Sequence, residues 1–148
     1  MSDGRSTARI VLLILMPLWA GAIIGVSLIA TPVKFQAPSL SMPVGLEVGR
    51  YTFRLFARVE LCFLVGVVVA ASLAQPRRLT VVAIALVAVQ VLLQRYWLLP
   101  VLDRRVSQIL AGGPPLFSTS HWVYAAFDAI KAALLIGAAA IEYSARLR

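Results

Sequence analysis

Residues 10–30 read IVLLILMPLWAGAIIGVSLIA, an uncharged run that decides the fold. A helix rises about 1.5 Å per residue, so roughly 20 residues cross a hydrocarbon core about 30 Å thick. Three more blocks reach that length, at about 55–74, 79–99 and 121–141, and the four fill more than half of the 148 residues. The chain is 61% apolar and 14% charged; a soluble domain carries about a quarter charged residues and under about half apolar. A transmembrane barrel would show alternating segments of about ten residues, whereas these blocks are continuous. The expected fold is all-α: one domain, residues 1–148, forming an integral membrane bundle of four antiparallel transmembrane helices.

The first block follows Arg5 and Arg9, as a signal peptide would. Signal cores run about 7–15 residues and end in small residues. This run is longer, with Leu28 where a small residue would be wanted, so it reads as a retained span. Pro17 is expected to bend it, and Gly21 and Gly25 leave a flat strip for close helix contact. Ala125, Ala129, Ala133 and Gly137 repeat that pattern in the fourth block.

The connections are marked by breakers. Residues 31–53 hold Pro32, Pro38 and Pro43, and a short helix after Pro43 either lies in the interface or extends the second span. Gln75, Pro76, Arg77 and Arg78 make a tight turn, so the second and third spans are antiparallel neighbours. Pro100 ends or kinks the third span, and Asp103, Arg104 and Arg105 follow in a polar stretch. Gly112, Gly113, Pro114 and Pro115 break the chain before Ser118, Thr119 or Ser120 caps the fourth helix.

The formal charge of +8 does not indicate nucleic acid, because the basic residues flank the apolar blocks. Arg5, Arg9, Arg77, Arg78, Arg146 and Arg148 fall on the side of the termini, and Lys34, Arg50, Arg54, Arg104 and Arg105 on the other. Six against five favours cytoplasmic termini. The lone Cys62 forms no internal disulfide and reads as packing.

Polar residues inside the spans collect toward the side of the long connections. Arg58 and Glu60 lie near that end of the second span. Gln94 and Arg95 lie one to two turns from the end of the third, with Gln90 a turn deeper. His121 opens the fourth span, and Asp128 follows roughly 10 Å further in, with Lys131 near the middle. His121, Tyr124, Asp128 and Lys131 are spaced three, four and three apart and share one helix face. Charges at this depth cost several kcal/mol, so they should face the bundle and pair. The candidate pairs are Asp128 with Lys131, Asp128 with Arg95, and Glu60 with Arg95 or Lys131; Arg58 can instead snorkel to the headgroups.

The cluster has three readings, a structural clamp that keeps four helices in register, a polar pocket for a small molecule, lipid or ion, or a catalytic site. His121, the only histidine, suits an interfacial or capping role better than ligation of haem or metal, which would need partners the chain does not supply. The tryptophans and tyrosines near span ends fit an aromatic belt. No Gly-rich phosphate loop, paired-cysteine motif or nucleophile elbow is present, so neither catalytic residues nor metal ligands nor a cofactor are expected.

Three stretches carry a likeness to a known family: Thr31 to Phe35 leading to Gly49 to Phe53, the third-span exit Gln94 to Pro100 with Asp103 to Arg105 behind it, and Ser120 to Tyr124. The pattern resembles a group of small four-span membrane proteins of unknown function, the transmembrane protein 205-like group and its bacterial relatives. Asp128 and Lys131 depart from it. The resemblance implies only the four-helix membrane fold and supplies no activity; the expected location is a bacterial inner (plasma) membrane with both termini cytoplasmic. The expected function is a non-enzymatic binding or transport-accessory protein with a polar pocket on the long-loop side, formed by Arg58, Glu60, Gln90, Gln94, Arg95, His121, Asp128 and Lys131. The rivals are a structural or assembly subunit, with a membrane-protein partner or a second copy docked on the small-residue strips, and an intramembrane enzyme or redox subunit.

Overall fold

In the computed structural model the buried residues of the fourth span include Tyr124, Asp128, Lys131, Leu135, Ala138 and Glu142, separated alternately by four and three. The third span repeats the rhythm with Thr80, Ile84, Val87, Val91, Gln94 and Leu98, and the first with Leu12, Met16, Trp19 and Ile23. Buried positions recurring every 3.5 residues belong to long helices packed at small crossing angles with interlocking side chains. The structure describes residues 2–113 and 119–146.

Four apolar helices result, over Gly4–Gln36, Met42–Ala74, Arg78–Leu110 and Trp122–Ala145. The first packs against the second and fourth, and the third against the fourth and second. The ring therefore closes in chain order with antiparallel neighbours. Only 28–33% of each apolar window is buried inside the bundle. Ile14, Leu18, Val65, Leu73, Leu79 and Leu86 are 50–67% exposed on its outside. An apolar surface on that scale is matched by lipid, not water. The chain is an all-α, four-span integral membrane protein.

Both middle helices are long, and the structure decides between the readings left open at their prolines. The second is continuous over Met42–Ala74, so the segment after Pro43 extends the span and does not lie apart from it. The third passes Pro100 and continues over Leu99–Leu110, carrying Asp103, Arg104 and Arg105 on a helix. Proline lacks an N–H, and its ring collides with the carbonyl four residues back. The preceding turn, Gln94–Leu98, widens to π geometry, which relieves that collision without breaking the helix. Pro32 follows a similar widening over Ile24–Ala30, where the Thr31 hydroxyl donates to the Val26 carbonyl at 2.8 Å.

The turns close by left-handed residues. Gln75 ends the second helix at φ 49° with its N–H on the Ala71 carbonyl at 3.0 Å. Gly112 takes φ 89°, a conformation glycine adopts without a side-chain clash, and the Gly113 N–H returns to the Gln108 carbonyl at 3.0 Å.

Candidate functional site

The polar residues of the bundle form three groups at different depths. The central one draws a side chain from every span. Lys131 donates to Glu60 across the bundle and contacts Asp128 Oδ1 at 2.9 Å one turn away on its own helix. Gln94 donates to the same Asp128 oxygen at 2.9 Å and, more weakly, to the Tyr124 carbonyl at 3.4 Å. The Trp19 indole lies against Glu60. Glu60, Gln94, Asp128 and Lys131 are 0–2% exposed. Gln94 lies on the inner face at this level, in the same row as Ile84, Val87 and Val91. Two polar atoms of the group lack a hydrogen-bond partner among the described residues: Asp128 Oδ2 and Gln94 Oε1.

The second group lies at the long-connection end. Arg50, Arg54 and Arg58 recur every four residues and share one face of the second helix. Asp103 on the third span receives Arg54 through Nη2 at 2.7 Å and Nε at 2.8 Å. Arg50 adds a bond to the Asp103 carbonyl and another to Ser107 Oγ, both at 2.7 Å. Arg54, Arg58, Arg95 and Asp103 then border an opening of about 270 Å³. Among the described residues neither Arg58 nor Arg95 has an ion-pair or hydrogen-bond partner.

Beside that opening is an apolar groove of about 180 Å³, lined by Phe35, Leu46, Phe53, Leu99 and Ile109 with Lys34 and Arg105 among them. Phe35 and Lys34 reach this position because Gly45 and Gly49 have no side chains. A Cβ would meet the Phe35 ring at 2.5 Å at Gly45 and the Lys34 ammonium at 2.6 Å at Gly49. Phe53, Ala57, Leu98, Leu99 and Tyr124 form an apolar layer, with the Phe53 and Tyr124 rings 4.8 Å apart. Leu99 and Phe53 also face the groove, while Gln94 bonds the backbone of Tyr124. The layer thus separates the basic mouth from the central group.

At the opposite end Glu142, fully buried, accepts from the Arg77 N–H and the Thr80 hydroxyl, both at 2.8 Å. Arg9 approaches its other oxygen at 3.6 Å.

The eight residues singled out from sequence are therefore distributed over two places. Glu60, Gln94, Asp128 and Lys131 meet in the central group, with the Glu60–Lys131 and Asp128–Lys131 pairings among those expected. Arg58 and Arg95 stand at the mouth, and Arg95 pairs with neither Asp128 nor Glu60. Gln90, half-buried one turn from Gln94, leaves its Oε1 unpaired. The side chain of His121 and any cap from Ser118, Thr119 or Ser120 lie outside the described residues. Sequence reasoning missed Asp103 and Glu142. The signal for Asp103 was a lone acid opposite an arginine face of four-residue spacing; for Glu142 it was a place on the same inward face as Asp128 and Lys131.

Chemically, the mouth presents Lys34, Arg50, Arg54, Arg58, Arg95 and Arg105 against the single acid Asp103, next to an apolar groove. That combination suits an anionic amphiphile. The central group presents two acids to one amine. No protein family, curated protein or solved structure matches this chain.

Proposed function

We propose that the protein is a non-enzymatic membrane protein that binds an anionic amphiphile at the long-connection end, with a phosphate-bearing headgroup on the arginines and an acyl chain in the adjoining groove. The observation that carries this is Arg58 and Arg95, two guanidinium groups without partners among the described residues, sharing an opening with Arg54. Guanidinium groups take phosphate oxygens in bidentate geometry, and the neighbouring groove offers apolar walls for a tail. The central group is then the fixed frame that holds the mouth-forming helices in register. Termini on the cytoplasmic face of a bacterial inner membrane, and the family likeness drawn from the sequence, belong to the same reading.

The test is a native mass spectrum of protein released gently from its membrane, beside the Arg58→Gln/Arg95→Gln double variant. The reading expects a retained anionic lipid in the wild type that the variant loses. A wild-type chain that retains zwitterionic and anionic lipids alike, or keeps its adduct in the variant, rules it out.

A structural or assembly subunit is the second reading. It is favoured by Gly21, Gly25 and Gly137, beside which an added Cβ would meet nothing within 4 Å. With Ala129 and Ala133 they lie on exposed helix faces, so the small-residue strips are not used up in packing this bundle.

A further inference from the structure

From the central group we infer a second binding site, whose ligand is a single proton held on Asp128, within the group it forms with Glu60 and Lys131, at neutral pH. The argument is one of charge and geometry. Two carboxyl groups and one ammonium meet where none is more than 2% exposed. With every group ionised, the group would carry one uncompensated negative charge near mid-bilayer. Such a charge costs several kcal/mol there unless it is neutralised.

Among the described residues no other cation compensates it. The groups facing the cluster are Trp19 from the first span, Glu60 from the second, Gln94 from the third, and Tyr124 and Lys131 from the fourth. Lys131 is the one cation among them, and its ammonium is already shared by both acids. Arg58 and Arg95 belong to the mouth, beyond the apolar layer.

The orphaned atoms give the second, independent observation. Lys131 and Gln94 both bond Asp128 through Oδ1, which leaves Oδ2 buried and without a donor. The amide oxygen of Gln94, anchored to the same carboxyl by its nitrogen, is also left without one. An unmet buried acceptor costs about 1–3 kcal/mol. A proton on Oδ2 turns an acceptor without a donor into a donor and brings the charge sum to zero. An alkali ion could also supply the missing charge, but it would have to sit beside the Lys131 ammonium, a like charge. The proton comes from water: hydronium transfers it to the Asp128 carboxylate and leaves as water, with no other bond made or broken.

Infrared spectroscopy of the full-length protein in lipid bilayers at neutral pH reads this directly. The wild type should show a carboxylic-acid C=O band that moves on 13C labelling of aspartate. The band should vanish in Asp128→Asn and in Glu60→Gln, since each leaves one acid facing one ammonium, and it should persist in Glu142→Gln. The labelled wild type keeps the test decisive if a variant does not fold. A wild type whose carboxyls are all ionised would overturn the inference. So would a band that ignores the aspartate label, one lost in Glu142→Gln, or one present only after sodium is removed, which would make the ligand an alkali cation.

Discussion

Gln94 donates to Asp128 Oδ1 at 2.9 Å and so joins the third and fourth spans where both residues are shut off from solvent. Gln94 continues the inward spacing of Ile84, Val87 and Val91 on the regular helix, at the start of the turn that widens before Pro100. Gln94→Leu should cost about 1–3 kcal/mol, the loss expected when a buried acceptor is left without its donor. Thermal unfolding in mild detergent measures it. A variant as stable as the wild type would show that Asp128 finds another donor.

Among the described residues Lys131 is the only cation that the central acids share. Removing one member of a buried ionic group leaves the others uncompensated, at about 3–5 kcal/mol, whereas replacing all members with apolar residues is often neutral. Lys131→Met should therefore be severely destabilised. The combined Glu60→Leu, Asp128→Leu and Lys131→Met protein should recover most of the loss in the same unfolding assay.

The bundle itself was legible in the sequence because a bilayer fixes helix length. Four blocks of that length, separated by Gln75-Pro76 and by the Gly112 region, admit no other arrangement of spans. The inward face of the fourth span followed from the spacing of Tyr124, Asp128 and Lys131. What the sequence did not disclose was how the prolines would be handled. Pro100 read as an end or a kink, and a widened turn carries the third helix past it; the segment after Pro43 read as a separate interfacial helix or an extension of the second span, and it is the extension, with Pro43 in the first turn. Register between helices was equally hidden. Arg95 and Gln94 are adjacent in sequence, but the helix turns them apart: one borders the mouth and the other meets the core.

Glu142 serves as a side-chain acceptor for the start of the third helix, taking the Arg77 N–H and the Thr80 hydroxyl. Glu142→Ala removes both acceptor bonds at a buried site. The expected loss is about 1–3 kcal/mol, with amide exchange quickening around residues 77–81 while residues 42–60 of the second span keep their protection. Uniform acceleration across the chain would mean that Glu142 supports the whole bundle and not one helix start.

Arg54 and Arg58 separate stability from binding. Arg54 is paired with Asp103, but half of its side chain is open to solvent, and exposed ion pairs contribute about 0–1 kcal/mol. Arg54→Gln should thus shift unfolding only slightly, and Arg58→Gln, which breaks no pairing among the described residues, should not shift it. Stabilisation by added anionic lipid should fall in Arg58→Gln and weaken further at high salt, since exposed charges are screened. An undiminished lipid effect in that variant would remove the headgroup site.

The glycines supply a contrast that separates inside from outside. Gly45 is buried against Phe35, and a Cβ there would stand 2.5 Å from the ring; Gly45→Ala must move Phe35 and reshape the groove, at about 1–3 kcal/mol for overpacking. At Gly49 the obstructing atom is the tip of Lys34, which can swing away, so Gly49→Ala should leave stability nearly unchanged while displacing that ammonium from the mouth. Gly21 and Gly25 face outward with nothing within 4 Å of an added Cβ. Gly25→Leu should hold the unfolding temperature of the isolated chain, within the roughly 0.5 kcal/mol typical of surface changes. If a second copy or another membrane protein docks there, the same variant should lose the complex in detergent size-exclusion chromatography, because leucine holds two helices apart where glycine lets their backbones approach. An assembly that survives Gly25→Leu and Ala129→Leu together would remove the structural-subunit reading and leave the mouth as the functional end of the bundle.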